Sequence, residues 1–279
     1  PMEGGTMNQS SGLIYARDQE NIAVTGTGII DGQGGSSTFQ FGNDADGGPK
    51  RPKLIYFVEC KTIQVTDITL RNSAYWVQHY EKCENVVIRG LKVFSHCNYN
   101  NDGLDIDAKN AVISDCYIDV EDDAICFKSD HPELCENITV TNCVTASNCN
   151  AIKFGTSSLG GFRNISVSNC VVRHAKEDNI RHWSKQLKHI TADITVISGI
   201  AIEMVDGGII DGITISNISM RDVQTPIFIR LGDRRRTFSK QIGSLKNINI
   251  SNIVATAESL IACSITGVKE AKVENVSIN

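Results

Sequence analysis

The sequence lacks any apolar run approaching the roughly 18 residues of a membrane-spanning helix, and it lacks a basic excess. Charged residues make up 21% of its 279 residues and the formal net charge is −5, so it carries no positive footprint of the kind that holds nucleic acid. No C-x-x-C pair occurs among the ten cysteines, which argues against a zinc site. Apolar residues scarcely ever recur at three- and four-residue steps, so helical periodicity is nearly absent. The chain opens on Pro1 without a signal peptide; in a chain not starting at Met this says little about compartment.

What is present is a repeat. A phrase of the form N-[IV]-x-[VI]-x-[ND]-[CI] recurs, as NIAVTGT at 21, TIQVTDI at 62, NVVIRGL at 85, NAVISDC at 110, NITVTNC at 137, NISVSNC at 164, GITISNI at 212 and NINISNI at 247, with VENVSIN near 273. Each phrase alternates apolar and polar residues, the mark of a strand with one buried face, and is rich in Val, Ile and Thr, which favour strands. From residue 62 onward the steps are 23, 25, 27, 27, 48, 35 and 26 residues. Short strands at this period, without helices between them, predict a right-handed single-stranded parallel β-helix, an all-β solenoid. A β-sandwich would need hairpin turn signals. It would also leave unexplained the asparagine at the head of the phrase, which in a solenoid can hydrogen-bond its copy in the next rung. For the same reason the sequons at Asn137, Asn164, Asn217 and Asn249 read as ladder residues rather than glycan acceptors.

Cys116, Cys143 and Cys170 follow one another at steps of 27 residues, each in a phrase S-D-C, T-N-C or S-N-C. A cysteine at one repeat position reads as a small buried side chain in a stack. Cys126, Cys135 and Cys149 flank an acidic stretch, where one disulfide is possible. Insertions are expected near 35–50, 173–193 and 230–242, on a single domain spanning 1–279. Long loops on solenoids usually border the binding face. The chain stops at Asn279 inside a strand phrase, and because solenoids need capped ends the natural protein is expected to be longer, or to have this end covered by a partner.

The acidic stretch, residues 98–129, is the candidate site. D-G-L-D-I (102–106), D-A-I-C-F (123–127) and N-A-I-K-F (150–154) share one pattern. On successive rungs they stack Asp102, Asp123 and Asn150 in one column, with adjacent strands roughly 4.8 Å apart. Asp122 emerges beside the column. Carboxylates packed this closely push one proton affinity upward, which is how one becomes an acid and another a base.

RPKLIYFVECKTIQVTDITLRNSAYW (51–76), NNDGLDID (100–107), EDDAICFKS (121–129) and TPIFIRLG (225–232) resemble the polygalacturonase family, family 28 of the glycoside hydrolases, over nearly the whole chain. The N-x-D-G and D-D phrases are specific as a pair. The resemblance implies an inverting hydrolase of pectic polysaccharides on a right-handed parallel β-helix, secreted or periplasmic, with a polysaccharide substrate and no cofactor or metal. By residue it implies that Asp122 is the general acid, that Asp102 and Asp123 hold and activate water, and that Asn100 is the asparagine of the family's N-T-D phrase. In an inverting enzyme the carboxyl groups should lie roughly 6.5–9.5 Å apart.

The chain departs from the family at two places. Cys149-Asn150-Ala151 stands where the family has G-H-G, and Ala201-Ile202-Glu203 where it has R-I-K, whose basic residues grip a galacturonate carboxylate. Asn150 therefore replaces a histidine, and Glu203 could bind neutral hydroxyls. Lys128, Lys153 and Arg230 fall in outward columns and could hold an anionic sugar in another way. The expected substrate is rhamnogalacturonan or another uronic-acid-containing glycan. Trp76, in an outward slot, and Trp183 could stack on sugar rings; Asp105 reads as a substrate contact or, with Asp107, as a calcium ligand. The histidines at 79, 174, 182 and 189 read as surface residues. Two other functions stay open: a polysaccharide lyase, in which carboxylates bind a divalent cation and a basic residue abstracts the C5 proton, and a non-catalytic carbohydrate-binding β-helix, since a shared fold does not guarantee catalysis.

Overall fold

The structure, a computed structural model, describes residues 12–39, 51–175, 196–234, 241–257 and 262–279. Trp183, His182 and His189 lie outside these residues, as do 40–50, 176–193 and 235–240 of the three expected insertions. The described residues contain strands and no helix. β1 (Gly12–Arg17), β2 (Glu20–Thr25) and β3 (Ile29–Asp31) make the first rung. β4 (Lys53–Val58), β5 (Lys61–Thr66) and β6 (Thr69–Arg71) make the second. The third and fourth hold β7 (Gln78–Arg89) with β8 (Lys92–Ser95), and β9 (Leu104–Ser114) with β10 (Tyr117–Val120). β11 (Ile125–Ser129), β12 (Cys135–Thr141) and β13 (Val144–Ser147) follow, then β14 (Asn150–Ser158) with β15 (Gly161–His174). β16 (Val196–Met204), β17 (Ile209–Leu231), β18 (Ser244–Ala257), β19 (Ser264–Thr266) and β20 (Val273–Ile278) complete the coil.

Every strand-to-strand pairing between rungs is parallel, so the chain is the right-handed parallel β-helix that its repeat predicts. The step of 48 residues is one rung: Ile165 pairs with Ile213 and Val167 with Ile215. The buried residues of the alternating phrases stack in files inside the coil, such as Phe57, Tyr80, Ile106, Phe127, Phe154, Ile202 and Ile229. Phe127 and Phe154 stack with centroids 4.4 Å apart. Deleting such a ring costs about 3–5 kcal/mol.

The recurring asparagine has a backbone cause as well as the ladder. Asn21, Asn85, Asn110, Asn137, Asn164, Asn247 and Asn275 all have φ between 48° and 58°, and Gly212 takes the same place at 78°. The left-handed region bends the chain from one sheet to the next, and asparagine tolerates it better than most residues. The amides also bond rung to rung: Asn110 to Asn85 at 3.3 Å, Asn137 to Asn110 at 3.2 Å and Asn164 to Asn137 at 2.9 Å. All ten cysteines are free, so the flanking disulfide does not form. Cys116, Cys143 and Cys170 are buried in one core file, each thiol donating to the carbonyl two residues before it.

Candidate active site

The site lies where the chain turns from β8 into β9, from β10 into β11 and from β13 into β14 on successive rungs. Asn101 organises the first of these turns from a buried position. Its Nδ2 donates to the carbonyls of Ser73 and Tyr75, both at 2.9 Å, and its Oδ1 accepts from Ser95 Oγ at 3.0 Å and from the Asn98 amide at 3.1 Å. The next two residues must pass under the neighbouring rung. A Cβ on Gly103 would lie 2.5 Å from Ile118 Cγ2 and 2.7 Å from the Ala124 carbonyl oxygen, which is why Asp102 is followed by glycine. One rung on, Ser147 Oγ donates to the Asp122 carbonyl at 2.6 Å and fixes the Asp122–Asp123 turn. Below it, the buried Asp119 accepts from Arg173 Nη2 at 2.9 Å and lies 2.9 Å from His96 Nε2.

The strand register carries the column through. Ile125 pairs with Leu104 and with Ile152, which sets Asp123 level with Asp102 on one side and Asn150 on the other. Asp102, Asp122, Asp123 and Asn150 are all buried at the floor of this face. Asp122 accepts from Asn100 Nδ2 at 3.4 Å and from the Asp123 amide at 3.0 Å. Asn100 is positioned by Arg51, which reaches its Oδ1 at 3.4 Å and also bonds the Tyr99 carbonyl. Asp123 accepts from Asn150 Nδ2 at 2.7 Å on one oxygen and from Lys153 Nζ at 2.8 Å on the other.

Both lysines of the outward columns turn onto carboxylates. Lys128 Nζ is 3.7 Å from Asp102 Oδ2 and 3.3 Å from Asp105 Oδ1, and Lys153 is engaged by Asp123. The ring of Trp76 is half-buried and already flanked by cations, with Lys128 Nζ 4.7 Å and Lys53 Nζ 4.9 Å from its centroid. Glu203 and Arg230 face each other in register on β16 and β17, one rung beyond Lys153; Glu203 is half-buried and Arg230 exposed. His79 is not at the surface. It is 3% exposed, stacks on Tyr56 with centroids 5.2 Å apart, and meets Trp76 edge-on at 5.0 Å. Reading single residues missed Asn101, Gly103, Ser147 and the Asp119 pairings, whose roles arise only when three rungs come together.

The charges separate the carboxyls. Burial pushes Asp123 up, but Lys153 and then Lys128 outweigh it and bring it down to about 2. Burial, followed by Asp105 and Asp122, pushes Asp102 well above the usual carboxylate range. Burial raises Asp105 to about 7 in spite of Lys128, and burial also raises Glu203. Asp102 Oδ1 and Asp105 Oδ2 have no hydrogen-bond partner among the described residues. Cys149 Sγ and one oxygen each from Asp122 and Asp123 lie within 4.8 Å of one another, close enough to hold a metal ion. Asp123, however, is already taken by an ammonium on one oxygen and an amide on the other.

The profile of Glycosyl hydrolases family 28 matches residues 3–279. The chain belongs to that family. Among curated relatives, a polygalacturonase of Chamaecyparis obtusa is 27% identical over 273 residues, covering 91% of this chain and 49% of its own length. The chain spans about half or less of the length of these curated relatives it matches. Among solved structures, the exopolygalacturonase of Thermotoga maritima superposes with a TM-score of 0.65 at 19% identity, covering 96% of this chain and 72% of that one. The polygalacturonase of Erwinia carotovora ssp. carotovora gives 0.66 at 17%, covering 98% and 77%. At these identities the likeness shows the fold alone. No helix among the described residues is long and apolar enough to cross a membrane.

Proposed function

We propose that the chain is an inverting glycoside hydrolase of a pectin-type polymer. The observation that carries this is the pairing of Asp122 and Asp123 in a buried acidic cluster: Asp123 is gripped through both oxygens, and Asp122 is held by Asn100 and a backbone amide. In this reading Asp122 gives its proton to the glycosidic oxygen as the bond to the anomeric carbon breaks. A water attacks that carbon from the opposite face, and its proton passes to Asp123. Asp102 helps to hold the water through its unpartnered oxygen. Proton transfers of this kind contribute about 10²–10⁴-fold each.

The departures from the family bear on substrate. The positions that would carry arginine and lysine hold Ala201 and Glu203, and Lys128 and Lys153 are committed to carboxylates rather than presented to a ligand. A uronate carboxylate placed there would lie against the Glu203 carboxyl, with Arg230 in register beside it. The reading is therefore a neutral sugar on that side of the scissile bond, as in rhamnogalacturonan or another polymer that alternates or branches, with an extracellular or periplasmic site of action suited to a polymer. A lyase needs carboxylates open to a divalent cation, whereas two ammonium groups serve this cluster.

The test is reducing-end release across a panel of pectic and algal glycans, comparing wild type with Asp122→Asn. Release by the wild type and loss of at least about a hundredfold in the variant is the expected result. Products absorbing in the ultraviolet would make the protein a lyase. Binding without release in either protein would make it a carbohydrate-binding β-helix.

A further inference from the structure

Lys153 occupies an unusual place. Its register neighbours in the outward column are Cys126 on one side and Ala201 on the other. Both are short, and the Cys126 thiol donates to the Gly155 carbonyl at 3.1 Å. The four-carbon stem thus has room to fold back one rung, and it does so: Nζ rests 2.8 Å from Asp123 Oδ2. The other Asp123 oxygen is taken by Asn150, three residues before Lys153 on the same strand. One strand, β14, therefore supplies both partners of Asp123. A substrate anion could claim Lys153 only by displacing a buried carboxylate, and stripping one partner from a buried ion pair is costly.

We propose that Lys153 is a positioning residue that fixes Asp123 as the proton acceptor for the attacking water, rather than a grip on the substrate. This rests on the hydrolase reading and extends it to a residue outside the acid–base set. The groups around Asp123 support the assignment. Lys153 and Lys128 are the nearby cations; Asp102, Asp105, Asp122 and Glu203 are the anions; Cys126 and Cys149 are the thiols; and Asn150 is neutral. With so many anions facing it, Asp123 would take up a proton readily once the nearest cation was gone. Lys128 adds to the effect of Lys153 from farther away, its ammonium being shared between Asp102 and Asp105.

The experiment is a ¹³C-carboxyl titration of the intact chain, with the Asp123 signal assigned by its absence in Asp123→Asn, and it needs no substrate. In the wild type the Asp123 signal is expected to stay ionised throughout the acid range in which the protein remains folded. In Lys153→Met its midpoint rises by about 1–3 pH units, the usual effect of an opposite charge at this distance. Lys153→Gln, which keeps a donor without the charge, gives the same rise and serves as the second neutral variant. Lys153→Arg restores the wild-type midpoint. On any glycan the wild type cleaves, the acid limb of kcat/KM moves with the midpoint. An unmoved Asp123 midpoint in both neutral variants overturns the proposal while leaving the hydrolase reading intact. A rise in KM alone, confined to anionic glycans, overturns it in favour of a substrate grip. If no glycan is cleaved, the hydrolase reading fails, and the titration still decides what Lys153 does to Asp123.

Discussion

Asn150 Nδ2 lies 2.7 Å from Asp123 Oδ1, and the Asn150 amide nitrogen approaches the same oxygen at 3.3 Å. A neutral side chain thus stands where the resemblance places a histidine, and it donates to a carboxylate without adding charge. A hydrogen bond to a charged group contributes about 1.5–3 kcal/mol, and each 1.36 kcal/mol is about tenfold in rate. Asn150→Ala is therefore expected to lower kcat/KM by roughly 10–100-fold, mostly in kcat. Asn150→His is expected to retain more activity than Asn150→Ala, because a ring N–H can take over the bond. Steady-state kinetics on the best glycan of the panel checks both, and an alanine variant at wild-type rate would remove Asn150 from the site.

Asp107 offers a separate test in stability. It is buried two residues after Asp105 on β9, its Oδ2 has no hydrogen-bond partner among the described residues, and burial, reinforced by Asp130, raises it to about 8. The unfolded chain releases this proton near the ordinary carboxylate value of about 3.9. Between those values the folded state holds a proton that the unfolded state has lost, so stability falls as pH rises across that window. Asparagine mimics the protonated form. Asp107→Asn is thus expected to raise the Tm relative to wild type at pH 8 and to leave it nearly unchanged at pH 4. The difference corresponds to about 5–6 kcal/mol at most, since the folded and unfolded midpoints lie about 4 pH units apart and each unit is worth about 1.4 kcal/mol. Thermal unfolding at the two pH values measures it, and a pH-independent difference would sink the idea.

Gly103 tests the close approach beneath Asp102. A methyl there meets Ile118 and the fixed carbonyl of Ala124, and the Gly103 amide itself donates to the Asp123 carbonyl at 2.8 Å. Gly103→Ala should cost about 1–3 kcal/mol as an overpacked site. For a chain of this size that is a Tm loss of roughly 2–4 °C per kcal/mol. Activity should fall further than stability explains, because the displaced backbone carries Asp102. The comparison is made well below the melting transition, where both proteins are folded; equal activities there would show that Asp102 does not depend on this contact.

The coil was legible because its signal is redundant. Nine phrases repeat one alternation, and the left-handed bend demands the same residue type at Asn85, Asn110, Asn137 and Asn164. Stacking one phrase on the next also set Asp102, Asp123 and Asn150 level with one another. What could not be read was where long side chains end. Periodicity assigns Lys128 and Lys153 to an outward face, but a four-carbon stem spans more than one rung. Only packing shows that both return to carboxylates instead of facing a ligand. His79 departs from its expected surface place for a similar reason. Its phrase alternates like any other, and its burial comes from Tyr56 and Trp76 on the neighbouring residues of the same face. Asn101 escaped notice because its partners, Ser73, Tyr75 and Ser95, come from other stretches of the chain.

The stereochemical outcome is the prediction in which geometry and resemblance pull apart. One oxygen of Asp122 and one of Asp123 lie within 4.8 Å, closer than the roughly 6.5–9.5 Å usual between the carboxyls of inverting enzymes and near the roughly 5–5.5 Å of retaining ones. A retaining mechanism would make Asp123 or Asp102 a nucleophile that bonds to the anomeric carbon. Asp123 is poorly suited to that, since Lys153 and Asn150 occupy both of its oxygens. Asp102 is poorly suited as well, because burial and its acidic neighbours favour its protonated form. A carboxylate held in this way can still accept a proton from a water resting against it. Inversion is therefore expected in spite of the short spacing. Proton NMR of the first products, recorded before mutarotation, should show the new reducing end with the anomeric configuration opposite to that of the bond cleaved. Retention, or a glycosyl–enzyme adduct detected by mass spectrometry, would transfer the second role from water activation to covalent catalysis.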